Sequence, residues 1–284
     1  MRVLFTGASS VTGGRVLQQM LKTPDYSDIW CARHQSETIV ADPRVHLIDL
    51  DLESNFTLQE MPAPIDMVIH FAGVTHSRDP ERYWRVNLQG TIRLAEAARA
   101  LGCRRFIFVS TRCATAGSGA YGESKLAAEE ELKEFQWDNL LIIRPSEIYG
   151  GGGKEGIDSL LNLARRWHVA PMLCGDRRIH FAPLHIDDFA WLANSMISKC
   201  QTGVFELRGP EDLDGVQLAR RLAWHFFAMP VPLWWPAFKV LLKGAQRLGI
   251  HFVEPDQIQR LICQKTCSGA TEVGTTRFLR DKVD

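Results

Sequence analysis

The sequence has no surplus of charge. Its 284 residues carry 33 Lys and Arg against 33 Asp and Glu, so no net field draws it to nucleic acid or an acidic membrane. It has no CxxC pair among its seven cysteines, Cys31, Cys103, Cys113, Cys174, Cys200, Cys263 and Cys267. An odd, scattered set reads as free thiols in a reducing compartment. Cys263 and Cys267 lie one helical turn apart like half a metal site. No His or Cys pair at ligand spacing completes it, so they read as packing residues and no metal is expected. No apolar run approaches the ~20 residues that span a bilayer. The opening Arg2–Phe5 already reads as a strand, where a secretory signal would need a longer apolar stretch. These absences lead to the expectation of a soluble, cytoplasmic protein. Internal repeats and low-complexity tracts are absent too.

What is present is an apolar fraction of 45%, enough for a full core, arranged in alternation. Val3–Thr6, Ile29–Ala32, Val45–Ile48, Met67–Phe71, Phe106–Ser110 and Leu140–Arg144 are apolar nearly throughout, as strands buried on both faces should be. Between them Gly14–Lys22, Glu81–Leu101 and Ala120–Phe135 have helical spacing. The alternation predicts an α/β fold, a Rossmann-type doubly wound parallel sheet with right-handed crossovers. The pattern changes after Gly150. Residues 1–150 read as the nucleotide-binding domain. Residues 151–284 read as a small, mostly helical substrate lobe interleaved with it, with helices at Ile157–Trp167, Asp187–Lys199 and Asp214–Phe227 and a strand at Gly203–Leu207. The tryptophan-rich Val231–Gly249 reads as a helix packed on that lobe, with Pro236 in its first turn; an amphipathic patch for a membrane surface or partner is the other reading.

The segment Phe5-Thr6-Gly7-Ala8-Ser9-Ser10-Val11-Thr12-Gly13-Gly14 follows the first strand and opens the first helix. Glycines there let backbone amides approach a pyrophosphate at the positive end of a helix. Gly7 and Gly13 have the required positions, while Ser10 or Val11 stands where a middle glycine is expected. The second strand ends in Cys31-Ala32-Arg33-His34, with no acid to hold a ribose 2′-hydroxyl. Arg33 there suits the 2′-phosphate of NADP or faces solvent, so NADP is the expected cofactor and NAD the alternative.

These pieces and those that follow them in order resemble the extended branch of the short-chain dehydrogenase/reductase superfamily, the NAD(P)-dependent nucleotide-sugar epimerases, dehydratases and ketoreductases. The others are Asp51-Leu52, Val68-Ile69-His70-Phe71-Ala72-Gly73, Val86-Asn87-Leu88-Gln89-Gly90-Thr91, Phe106–Thr111, Tyr121-Gly122-Glu123-Ser124-Lys125, Arg144–Gly150 and Leu184-His185-Ile186-Asp187-Asp188. Tyr121 and Lys125 fall four apart at a helix start, on one face, and an ammonium near a phenol lowers its pKa so that it can exchange a proton with a substrate oxygen. The resemblance implies that Thr111 hydrogen-bonds the same oxygen and that Lys125 holds the nicotinamide ribose. It also implies that Asp51 and Leu52 bracket the adenine and that Phe71, Ala72, Gly73 and Val109 line the cofactor. Asn87 anchors a helix there, Pro145 and Ile148 approach the carboxamide, and His185–Asp188 caps a helix. The implied reaction is hydride transfer at a hydroxyl or keto carbon of a small-molecule substrate, by default a nucleotide-linked sugar. A non-catalytic nucleotide-binding assembly or regulatory subunit of the same fold is the alternative. Relatives often dimerise through two long helices, here Glu81–Leu101 and Ala120–Phe135; a homodimer and a monomer both stay open.

Three departures bear on substrate. Only nine residues separate Thr111 from Tyr121, a short loop. Arg144-Pro145-Ser146 stands where sugar-nucleotide enzymes often have an asparagine. Phe181 or Ala182 stands where they place an arginine, for which Arg177 or Arg178 is the nearest substitute. Arg112 is a partner for an anionic substrate group or a solvent-facing residue. Cys113 is a filler or a nucleophile, and Glu147 is a further acid or base in the pocket.

Overall fold

The computed structural model describes residues 1–284 except 34–39, 55, 57, 59–60, 62–63, 154–155, 248–254, 264, 266–268 and 280–284. His34, Cys267 and the Gly249 end of the tryptophan-rich segment fall outside the described residues. Six strands arise on short apolar runs, most of them covered on both faces. They are β1 (Arg2–Thr6), β2 (Asp28–Arg33), β3 (Val45–Asp49), β4 (Met67–His70), β5 (Arg105–Val109) and β6 (Asn139–Pro145). Beyond them come the short β7 (Ile148–Tyr149), then β8 (Val169–Cys174), β9 (His180–Phe181), β10 (Leu184–His185), β11 (Gly203–Arg208), β12 (Leu213–Asp214), β13 (Met229–Trp234) and β14 (Ala270–Val273). The main sheet has the order β14-β11-β6-β5-β4-β1-β2-β3, and every neighbouring pair is parallel. The Rossmann-type doubly wound sheet read from the sequence is therefore present, with the reversal of strand order beside β1, where such sheets bind their ligands.

Helices cover both faces. On one, α1 (Val11–Met20) and α6 (Ile186–Ser198) pack Val16, Leu17, Phe189 and Ala193 onto β1, β4 and β5. On the other lies one continuous helical rod, α2 (Pro80–Tyr83), the π-helical Trp84–Gly90 and α3 (Thr91–Ala100). Beside it α4 (Ala120–Glu134) buries Ala128 and Leu132 against Phe106 and Phe108. A third core belongs to the lobe, where α5 (Gly156–Trp167) and α7 (Gly215–Phe226) close around Leu218, Leu222 and Trp235. The lobe ends in α8 (Trp235–Arg247) and α9 (Pro255–Ile262).

The structure corrects one reading of the lobe. Val231–Trp234 is a strand, paired in register with Val169–Cys174, and the helix starts only at Trp235 with Pro236 in its first turn. Prolines disguise this ladder. Met229 donates its N–H to the His168 carbonyl, so odd positions face the partner strand. Pro230 and Pro232 then lose only N–H groups on the open edge, where a strand tolerates proline.

One buried contact fixes α4 to the sheet. Arg144, at the end of β6, donates Nη2 to Glu129 Oε2 at 2.6 Å and Nε to Oε1 at 2.9 Å, while Ser110 Oγ donates to Oε1 at 2.5 Å. The Glu129 side chain is fully buried and that of Arg144 nearly so, at 0% and 7% exposure. Removing one member strands the other charge, so Arg144→Leu is expected to cost about 3–5 kcal/mol, read as a lowered urea midpoint at unchanged slope.

Candidate active site

The loop after β1 turns at Gly7, whose φ is +78° and whose Cα lies against the Phe71–Ala72 backbone; a Cβ there would sit 2.6 Å from the Ala72 nitrogen. A Cβ on Gly13 would strike the Gly7 carbonyl. Only glycine allows both approaches. Ser10 takes the place of the missing middle glycine without strain, because its backbone is extended and its Oγ accepts the Gly13 N–H at 3.0 Å as the cap of α1. Two cavities flank this turn. One of about 180 Å³ brings together Gly7, Asp51, Leu52, Ala72 and Gly73, and one of about 440 Å³ is edged by Ser10 and Val11.

A third cavity, about 560 Å³, lies at the carboxyl ends of β4, β5 and β6. Thr111, Tyr121 and Lys125 all line it, with Phe71, Gly73, Val109, Pro145 and Ile148. Its wall is mostly apolar, adding Ile157, Leu160, Leu173, Phe181, Phe189 and Leu261. Lys125 donates Nζ to the Val109 carbonyl at 3.2 Å and stands 4.6 Å above the Phe108 ring. Burial drags its ammonium down to about 8 against the opposing pull of Glu129. Asn87, in the π-helical stretch, does not line these cavities. It clamps the loop that does, accepting the Val74 N–H at 2.8 Å and donating to the Val74 carbonyl at 3.0 Å.

The expected lowering of Tyr121 by Lys125 is not what the geometry gives. Burial dominates and pushes the phenol up to about 12, and the cation opposing it is Arg260. Arg260 lies in α9 with its guanidinium carbon 4.4 Å from the Tyr121 ring centre, braced by Asp256 at 2.7 Å and by the Thr75 carbonyl at 2.8 Å. Asp256 in turn accepts the Tyr121 N–H at 3.0 Å. No local motif marks Arg260 in the sequence; α9 reaches the site only through the tertiary fold. Lys265 was missed for the same reason.

Glu147 lines the cavity as expected, but it is already committed. Arg112 (3.3 Å) and Lys265 (2.9 Å) flank its carboxylate, and the Ala182 N–H donates to it at 2.9 Å. Burial works against the charge, yet these partners outweigh it and hold the group at about 2. Glu147 is thus a standing carboxylate, and Arg112 is occupied in holding it. Cys113 Sγ faces the Arg260 carbonyl at 3.8 Å, and the Cys263 thiol donates to the same oxygen at 3.3 Å. The hydrogen bond with Cys263 and burial together raise the Cys113 thiol well above its ordinary value, which suits a filler. Two readings move away from the cavity. Arg178 is exposed and folded back on Asp176 at 2.7 Å, because both lie on one tight turn. Arg33 donates Nε to Asp49 at 2.7 Å across the β2–β3 edge and lines none of the three cavities.

A family model described as the NAD dependent epimerase/dehydratase family matches residues 3–206. The chain belongs to this family. The resemblance read from the motifs is thereby borne out. Among its relatives are a ceramide reductase of Caulobacter vibrioides, 32% identical over 206 residues, and a UDP-glucose 4-epimerase of Vibrio cholerae, 26% identical over 267 residues. The first alignment covers 72% of this chain but only 62% of the Caulobacter protein; the second covers 82% and 79%. Two solved structures share the fold. A dTDP-glucose 4,6-dehydratase from Streptomyces venezuelae with NAD and TYD bound has a TM-score of 0.71 at 19% identity, covering 82% of this chain and 84% of that one. A UDP-glucuronic acid 4-epimerase from Bacillus cereus in complex with NAD has 0.70 at 19%, covering 82% and 85%. Both neighbours carry NAD, and neither carries the NADP expected from Arg33. No helix among the described residues is long and apolar enough to cross a membrane.

Two outcomes follow from the buried cations. Lys125 has a folded pKa below its ordinary value, so its charge costs stability below about pH 8, and that cost fades as the pH rises from about 8 toward 10.5. At 1.36 kcal/mol per pKa unit, Lys125→Met is expected to stabilise the fold by on the order of 1–3 kcal/mol at pH 7. Thermal melts should show the gain shrinking between pH 8 and 10. Arg260→Gln should raise the Tyr121 pKa further, moving the alkaline limb of any alcohol oxidation to higher pH, with Arg260→Lys falling between.

Proposed function

We propose that the chain is an NAD-dependent oxidoreductase that transfers hydride at a keto or hydroxyl carbon, and that it works as a reductase on a ketone with an apolar body. The observation that carries this is the convergence of Thr111, Tyr121 and Lys125 on one cavity whose wall is mostly apolar. The glycine cradle at Gly7 and Gly13 and the opening at Gly73, where a Cβ would crowd Lys125 Nζ at 3.2 Å, fit a dinucleotide lying from the small cavity into the large one. Gly7, Asp51, Leu52, Ala72 and Gly73 would hold its adenosine and phosphate end; Lys125, Val109, Pro145 and Ile148 would hold the nicotinamide end. The bound nicotinamide supplies or accepts the hydride.

The residues of the chain handle the oxygen. Thr111 donates a hydrogen bond to it, and Tyr121 gives it a proton. A phenol at about 12 is protonated throughout the physiological range, so it is set to donate, the direction of ketone reduction. Glu147, fixed as a carboxylate between two cations, is a poor proton donor. That weighs against a dehydratase, which needs a further acid beside the tyrosine. The name of the Caulobacter relative supports a lipid ketone such as a keto form of a ceramide. The nucleotide-linked sugar is the second reading, supported by the Vibrio relative and by Arg112, Arg260 and Lys265 on the cavity wall.

NADH oxidation with a ketone panel, run beside UDP-sugar interconversion, separates the two substrate classes. Turnover of keto-ceramides in detergent, with UDP-glucose unchanged, is the expected result. Tyr121→Phe should lose roughly 10²–10⁴-fold in kcat while NAD binding, followed by fluorescence, stays intact. A wild-type chain that binds NAD but turns over neither class would place it with the non-catalytic relatives.

A further inference from the structure

The zero net charge conceals a segregation of charge along the chain. From Gly215 to Val253 the sequence holds Arg220, Arg221, Lys239, Lys243 and Arg247 and not one Asp or Glu; Ser159–Gly175 holds Arg165 and Arg166 and again no acid. These two stretches meet in space. The His168 carbonyl accepts the Met229 N–H at 2.7 Å, and the His168 ring pairs with the Phe226 carbonyl at 3.0 Å. The carboxyl ends of α5 and α7 and the start of β13 therefore converge.

At that convergence the chain exposes large apolar side chains that a monomer ordinarily hides. Trp167 is 67% exposed, Trp224 88%, Phe227 91% and Met229 64%. Phe227 stands out at the left-handed cap of α7, with φ of 50°. Cations frame the cluster. Arg165 and Arg166 are exposed on the last turn of α5, the Arg166 guanidinium lies 5.9 Å from the Trp167 ring, and exposed Arg220 precedes Trp224 by one turn of α7. Farther along the chain Trp234, Val240 and Leu241 are exposed as well.

Aromatic side chains ringed by Arg, with no acid in either stretch, have the chemistry of a surface that settles at the headgroup level of an acidic bilayer. We propose that the joined ends of α5, α7 and β13 form an interfacial docking face for an anionic lipid membrane. The face is connected to the substrate cavity. Leu160, near the start of α5, lines the cavity, and Trp167 lies seven residues on, about 10 Å along the helix. A lipid-borne ketone would thus meet the cavity close to the plane of the membrane, although docking does not depend on the reaction assigned above.

The test is co-sedimentation of the full chain with vesicles of phosphatidylcholine alone and of phosphatidylcholine with phosphatidylglycerol, with no cofactor or substrate present. Binding is expected only to the anionic vesicles and should weaken with salt. The double variant Trp224→Ser/Phe227→Ser should lose about tenfold or more in partitioning, and Arg166→Glu/Arg220→Glu roughly fivefold per charge. Trp191→Ser, at a tryptophan of α6 that is also exposed, at 61%, should bind as the wild type does. All these sites are exposed, and thermal melts confirm folding. Three outcomes overturn the proposal: no binding to anionic vesicles at low salt, equal binding by the apolar double variant, or a dimer that the double variant converts to monomer. The last would assign the face to a second copy. Turnover on soluble substrates is read separately, so failure here leaves the hydride-transfer reading untouched.

Discussion

A single buried ion pair sets the geometry on which the site depends. Lys125 and Glu129 lie four residues apart on α4, one turn of the same face. The Glu129 carboxylate takes both the Arg144 guanidinium from β6 and the Ser110 hydroxyl from the end of β5. Rotating or sliding α4 would break both contacts inside a region that water does not reach. A helix held this way carries Tyr121 at its first turn and Lys125 one turn later to fixed positions over the strand ends. Such an interaction adds little net stability over an apolar substitute, since two charges must be stripped of water. What it supplies is position.

Burial and opposite charge compete throughout the pocket, and different contestants win at different residues. At Tyr121 burial wins despite Arg260, leaving an acid. At Glu147 two cations and a backbone N–H win despite burial, leaving a base too weak to matter. At Lys125 burial wins again and loosens the proton on the ammonium. The same wall therefore holds a protonated phenol and a locked carboxylate within one cavity. At the end of β4 burial prevails in the same way. His70 bridges Thr6 and Thr91 at 2.6 and 2.9 Å, and burial pushes its pKa well down, so the core beneath the dinucleotide turn stays neutral.

The strands of the first 150 residues were legible because parallel strands covered on both faces write long apolar runs, and each run matched its strand to within a residue or so. The convergence of Thr111, Tyr121 and Lys125 on one cavity was legible because each sits at a defined place relative to a strand end or helix start. Elsewhere the physics is not local. Arg33 reads as a phosphate partner, and the register of β2 with β3, which sequence does not announce, also brings Asp49 alongside it. Arg178 reads as a substitute anion binder until the turn folds it onto Asp176. β8 and β13 were hidden by Pro171, Pro230 and Pro232, which only a two-stranded edge accommodates. Arg260 and Lys265 carry no spacing signal, since they reach the site across more than a hundred residues of sequence.

The route of the chain around α9 has a further consequence. The helix that delivers Arg260 is followed by β14, which is hydrogen-bonded into the main sheet beside β11, and only seven residues lie between Ile262 and Ala270. Seven residues reach at most about 25 Å, so this tether bounds how far α9 can lie from the end of the sheet. Connector length, with Thr111, Tyr121 and Lys125 unchanged, thus sets an outer bound on how far the part of the cavity wall that α9 supplies can stand back.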